Sequence, residues 1–154
     1  YKSEDMSNAA MAEELMKVNA DSLGAVGRAK FDELTGKIYP DACKKQYRAA
    51  KEAYDSGEYD TVISSLETVM QMDESYNDGA AMLLLAQGYE KKGDQDKANT
   101  TYQKIIETWP DTDVATQAQQ ALDAQSGNTD NSDSKKSDDT KKNSDNDDNG
   151  DNNN

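Results

Sequence analysis

The chain has no histidine, one cysteine and two prolines in 154 residues, with a single tryptophan and a single phenylalanine. Without histidine, His-based catalytic triads and histidine-ligated zinc sites are excluded. A lone cysteine forms no internal disulfide, so sulfur chemistry does not fix the compartment. No apolar run reaches the length of about 18 residues that a membrane span requires, so these residues contain no inserting segment. Positive charge is scarce as well: 17 Lys and Arg stand against 31 Asp and Glu, a net charge of −14. That balance opposes nonspecific binding to nucleic acid or anionic lipid, both of which need Lys/Arg clusters. It describes a soluble, self-repelling chain.

The absences are most complete at one end. Residues 126–154 hold no hydrophobic side chain, only Ser, Asn, Asp, Lys, Thr and Gly. Such a segment has no apolar surface with which to offset chain entropy, and a disordered tail is expected. Its eight Asp and four Lys give −4, leaving −10 on the rest. The apolar content therefore falls in residues 1–125, where it reaches an ordinary globular fraction. The chain begins at Tyr1 without a charged-then-apolar leader pattern, so a leader or anchor is expected upstream.

What is present is a repeat. Shifted by 36 residues, Gly57 falls on Gly93, Val62 on Ala98, Leu66 on Tyr102 and Val69 on Ile105. Upstream, Ala49 and Ala50 meet Leu85 and Ala86, and Ala53 meets Tyr89. Each copy shows apolar positions at three- and four-residue spacing, then Gly, then a second such run. That pattern predicts helix, glycine turn, helix. Gly57 and Gly93 suit positive φ, and Glu58 and Asp94 place an acid at the start of the next helix.

The residues Leu85-Ala86, Tyr89, Gly93-Asp94, Ala98, Tyr102, Ile105 and Pro110 resemble the tetratricopeptide repeat. The copy at 41–76 resembles it less closely, with Glu74 at the Pro position, Val62 for Ala and Ala53 for the aromatic. The usual period is about 34, and the two extra residues are assigned to Asn77 and Asp78 in the turn between repeats. The resemblance implies an all-α fold, a short right-handed helical solenoid of antiparallel helix pairs.

The expected organisation follows from these marks. Residues 1–40 form an N-terminal helix pair, a degenerate repeat. Its first stripe is Met11, Leu15 and Val18; its second is Leu23, Gly27, Phe31 and Leu34, stopped by Thr35-Gly36 and Pro40. Residues 41–76 and 77–110 are the two repeats. Residues 111–125 cap the array with an apolar face of Ala115, Ala118 and Leu122 opposite Gln117, Gln119, Gln120 and Asp123. Residues 126–154 are the tail. The run WPDTDVATQAQQAL is also similar to a Pro-x-Thr turn of envelope-associated bacterial members of the family.

Candidate chemistry is thin. Cys43 is expected in the first turn of a helix, without a base or resolving cysteine beside it, and reads as a packing residue. LGAVGRAK lacks the spacing and Lys-Ser/Thr ending of a phosphate loop, so Gly27 reads as close helix approach. Asp145, Asp147, Asn149 and Gly150 match the opening of an EF-hand loop, but no twelfth-position Glu or flanking helices accompany them. Asp32-Glu33 and Asp111/Asp113 read as solvated surface. No cofactor and no metal is implied, and with no catalytic constellation the chain reads as a non-enzyme.

One constellation remains. Lys44, Tyr47, Lys51 and Tyr54 are spaced by three, four and three and share one helix face, opposite the small residues Ala42, Ala49 and Ala53. The resemblance implies that the first helix of each repeat lines a concave groove for a peptide or helix. The groove would then show Lys44, Tyr47, Lys51 and Tyr54 from one repeat and Leu83, Gln87 and Glu90 from the next. Tyrosine between lysines offers stacking area and charge-assisted hydrogen bonds to carboxylates; the same tyrosines also suit partial core. The expected function is a protein–protein interaction module in the bacterial cell envelope, tethered upstream of Tyr1. The alternatives are a structural spacer or self-associating element, and a cytoplasmic setting. The expected partner is a protein or peptide, with no nucleic acid and with a homo-oligomer as a further possibility.

Overall fold

The computed structural model describes residues 8–129. Among them are six α-helices and no strand: α1 Asn8–Met16, α2 Ala25–Asp55, α3 Tyr59–Met72, α4 Ala80–Lys92, α5 Gln95–Thr108 and α6 Asp113–Thr129. Tail residues 130–154, with the EF-hand-like run, lie outside the described residues, whereas 126–129 continue α6 and correct the expected tail boundary at 125.

Both repeats turn by the same device. Gly57 (φ 77°) donates to the Tyr54 carbonyl at 3.1 Å and Glu58 to that of Ala53 at 2.9 Å. Thirty-six residues later Gly93 (φ 90°) donates to Glu90 at 3.0 Å and Asp94 to Tyr89 at 2.9 Å. This is the Schellman closure, which needs a left-handed residue and so selects glycine. It reverses the chain within three residues, laying α3 against α2 and α5 against α4. Asp94 adds an N-cap through its side chain to the Lys97 amide at 3.3 Å.

The spacing of apolar residues then makes the core. Val62, Leu66 and Val69 on α3 are fully buried, as are Ala98 and Ile105 on α5, with Tyr102 at 1% exposure. They meet Cys43, Ala50 and Ala53 of α2 and Leu85, Ala86 and Tyr89 of α4. Small residues set the interhelix distance. A Cβ on Gly88 would lie 3.0 Å from Val62 Cγ1, so α3 and α4 approach closely there.

The turn between repeats carries the two extra residues. Asn77 (φ 56°), Asp78 (φ 51°) and Gly79 (φ 86°) are consecutive left-handed residues. Asn and Asp tolerate that region better than other side chains do. After α5, Thr112 caps α6: its Oγ1 accepts from the Ala115 amide at 3.3 Å and donates to the Trp109 carbonyl at 2.6 Å. This gives the Pro-x-Thr run its mechanical role. Ala115 and Ala118 of α6 are buried and Leu122 half-buried, while Gln117, Gln119, Gln120 and Asp123 face solvent.

The N-terminal part departs from expectation. No helix end occurs at Thr35-Gly36 or Pro40; α2 runs unbroken for 31 residues with Pro40 inside it. Proline removes one helical hydrogen bond and crowds the carbonyl four residues back, a cost of roughly 3 kcal/mol. Here that carbonyl belongs to Gly36, which is exposed with open space around it, so water can reach the freed acceptor. Packing holds the flanks. Ile38 (8% exposed) and Ala42 (1%) bury against Ala12 of α1, with Met11, Leu15, Leu34 and Tyr39 around them. Asn8 donates to Asp41 at 3.0 Å, so α1 runs antiparallel to this stretch. One helix thus serves two pairs, with α1 through its first half and with α3 through its second, and the 40/41 division falls inside it. Before α2, Asn19 accepts from the Asp21 amide at 3.1 Å and caps a 3-10 turn, Ala20–Ser22.

Candidate functional site: one face of α2 and α4

Alternate helices line one side of the array. Among the described residues α2 approaches α4 and α4 approaches α6, whereas α3 and α5 do not approach each other. From α2 to α6 the stack therefore curves towards α2, α4 and α6, while at the N-terminal end α1 also approaches α3.

On α2, Lys44 and Lys51 are exposed, and Tyr47 and Tyr54 are half-buried. Tyr47 meets Tyr76 of the inter-repeat turn edge-on, with centroids 5.6 Å apart and planes at 64°. Tyr54 meets Tyr59 at the start of α3 in the same way, at 5.7 Å and 71°. Both rings lie against the main core, so each is part wall and part surface. The Lys51 ammonium stands 6.0 Å from the Tyr47 ring centroid, at the edge of a cation–π contact.

The α4 residues have different surroundings. Leu83 is 7% exposed and belongs to the core, so it contributes floor rather than open surface. Gln87 is half-buried. Glu90 is half-buried and accepts from the Tyr102 hydroxyl at 2.7 Å. Tyr89 donates likewise to Glu67 of α3 at 2.6 Å. Burial and then these carboxylates raise both phenols well above the ordinary tyrosine value.

Lys45, Arg48, Tyr59 and Tyr76 also adjoin these side chains, beyond the residues that helical spacing marks out. For the cations a signal existed, because residues 42–51 contain four basic residues and no acid. For Tyr59 and Tyr76 none did: a ring at a helix start or in a turn has no periodicity to reveal its face.

Cys43 requires a correction. It lies in the middle of α2 rather than in a first turn, because α2 begins eighteen residues earlier, at Ala25. No helix N-terminus lowers its pKa. Burial pushes the thiol up to about 11, helped by the Asp73 carboxylate, and the residue is fully buried. Only the first-turn placement changes; burial in the core agrees with the packing role expected of Cys43. A pH prediction follows. The folded thiol holds its proton above the ordinary value of 9.0, so stability is complete below that pH and is lost as pH rises towards 11. The loss from this group is on the order of 2 kcal/mol. Urea unfolding between these pH values should show the decline, and Cys43→Ala should flatten its first part. An unchanged slope in that variant would remove Cys43 as the cause.

Among the described residues no group of three or more Cys, Asp or Glu is placed to hold a metal ion, and no helix is long and apolar enough to cross a membrane.

With this geometry in place, comparison with known proteins adds one point. The family model of the tetratricopeptide repeat matches residues 80–112, from the first residue of α4 to the Thr112 cap of α6. The match supports a tetratricopeptide-type array. No curated protein and no solved structure matches the chain.

Proposed function

We propose that the chain is a non-catalytic protein–protein interaction module that holds a peptide or helix against the inner face of α2 and α4. The reading is supported by the closer approach of α2, α4 and α6 than of α3 and α5, and by exposed Lys44 and Lys51 beside half-buried Tyr47 and Tyr54 on α2. The family match at 80–112 supports a protein-binding role. Stacked helix pairs form an extended concave surface suited to one partner segment. A bacterial envelope setting rests on the likeness of the run 109–122 to envelope repeats.

The test is crosslinked capture of a partner from cells that make the protein, with the full chain and with Lys44→Glu/Lys51→Glu. Both positions are exposed, so the variant keeps its helix content and melting temperature. Capture should fall at least about fivefold, the effect of about 1 kcal/mol of rim electrostatics. Equal capture by both chains would contradict the groove and favour a spacer.

A further inference from the structure

The cations of this acidic chain are not distributed evenly with respect to their partners. Lys17, Arg28, Lys30, Lys37, Lys92, Lys97 and Lys104 each form an ion pair with a carboxylate. On α2, Lys44, Lys45 and Lys51 form none among the described residues, and Arg48 reaches Glu52 only at 4.0 Å with both side chains 75% exposed. Four basic side chains within eight residues thus lie side by side, almost without counter-charge. Lys44, Lys45 and Arg48 also border an open cleft between α2 and the start of α1, together with Asn8, Ala9 and Asp41. Like charges so placed repel one another and favour any acidic segment that covers them.

The chain carries such a segment. Residues 143–154, NSDNDDNGDNNN, contain Asp145, Asp147, Asp148 and Asp151 and no basic residue. The tail's Lys135, Lys136, Lys141 and Lys142 precede this run and balance the Asp before it, so the tail's net −4 resides here. Four carboxylates face four cations in number.

The reach is sufficient. The short turns make α2, α4 and α6 run in one direction. From α6 to α2 is about two helix spacings, roughly 20 Å. The basic residues lie a further ~6–17 Å back from the end of α2, at about 1.5 Å per residue. Asp145 lies sixteen positions beyond Thr129, and an extended chain of that length spans up to about 55 Å. Tethering replaces a bimolecular encounter with an effective concentration of about millimolar, enough for contacts that are individually weak.

We infer that the Asp-rich run 145–151 docks on Lys44, Lys45, Arg48 and Lys51 of its own chain. The contact is electrostatic and covers part of the stripe on α2, so any other acidic segment has to displace it. The inference stands on the charge distribution and does not require that the groove hold a partner.

The experiment is a brief acetylation of the purified full chain with an amine-reactive ester, read by mass spectrometry at each lysine. Lys91, which is exposed and likewise forms no ion pair among the described residues, is the internal reference. The comparison chain carries Asp145→Asn, Asp147→Asn, Asp148→Asn and Asp151→Asn, changes confined to the tail. At about 0.01 M salt, where the Debye length is about 30 Å, Lys44, Lys45 and Lys51 should react roughly threefold more slowly in the native chain, the scale of exposed ion pairs. The difference should vanish near 1 M salt, where that length is about 3 Å. Equal rates in the two chains at low salt would overturn the inference. Protection that disappears on dilution would also overturn it, because the tail would then be docking on a second copy.

Discussion

Tyr102→Ala should destabilise the chain by about 4 kcal/mol, the range found for removing a large buried aromatic ring. Tyr102 is the largest of the fully buried side chains, at 1% exposure, on the inner face of α5. Its ring belongs to the core that joins α5 to α4, and its hydroxyl donates to Glu90 at 2.7 Å. The two roles separate by substitution. Tyr102→Phe keeps the ring and loses only the donor, at a cost of about 1 kcal/mol, because water can still reach the half-buried Glu90. The measurement is urea unfolding of the full chain, with the midpoint and slope followed for both variants. A Phe variant as unstable as the Ala variant would place the stability in the hydrogen bond and contradict the packing account. Because Glu90 is a candidate site residue, the Phe variant also frees its carboxylate while leaving the array folded.

The second large effect is expected at Gly79. Gly79→Ala should cost about 3 kcal/mol, from a left-handed conformation at about 1–2 kcal/mol and overpacking of about 1–3 kcal/mol. Its φ is 86°, and an added Cβ would stand 2.9 Å from Cε3 and 3.0 Å from Cδ2 of the Trp109 indole. The indole thus closes over the turn that launches α4. The end of the second repeat is locked to its beginning, and the angle between α3 and α4 is held with it. That angle sets how the stripes of α2 and α4 face each other. A double-mutant cycle isolates the contact: with Trp109→Ala in place, Gly79→Ala should lose the overpacking part and keep the φ part. Full additivity of the two substitutions would mean that the indole does not confine this turn.

These two positions show what the sequence discloses and what it conceals. The helix pairs were legible because buried positions on a helix recur at three and four residues. Gly57 and Gly93 stand out because a Schellman turn tolerates little else. The face of α6 and the Lys44–Tyr54 stripe were legible for the same reason. Gly79 under Trp109 was not, since the pair joins residues thirty apart with no shared period. The continuity of α2 was hidden as well. Pro40 is a strong local stop signal, but its cost falls on an exposed Gly36 carbonyl and is offset by Ile38 and Ala42 packing on α1. Tertiary burial outweighed local preference there, and the misplaced helix start carried Cys43 into a wrong electrostatic setting. At the candidate site the side chains of Lys44 and Lys51 are exposed, while Leu83 lies in the core because α4 has neighbours on both sides. A helical period locates a face; it does not say how deeply a neighbouring helix covers it.

The central claim is that the inner face, and not the outer one, meets a partner. Its most direct measurement places a photocrosslinking residue at Gln87 on α4 and, in a separate chain, at the exposed Gln103 on α5, then compares the adducts formed in cells that make the protein. A discrete adduct from position 87, absent from position 103 and lost when Lys44→Glu/Lys51→Glu is combined with it, is the predicted result. Adducts of equal yield from both faces, or from position 103 alone, would contradict the account.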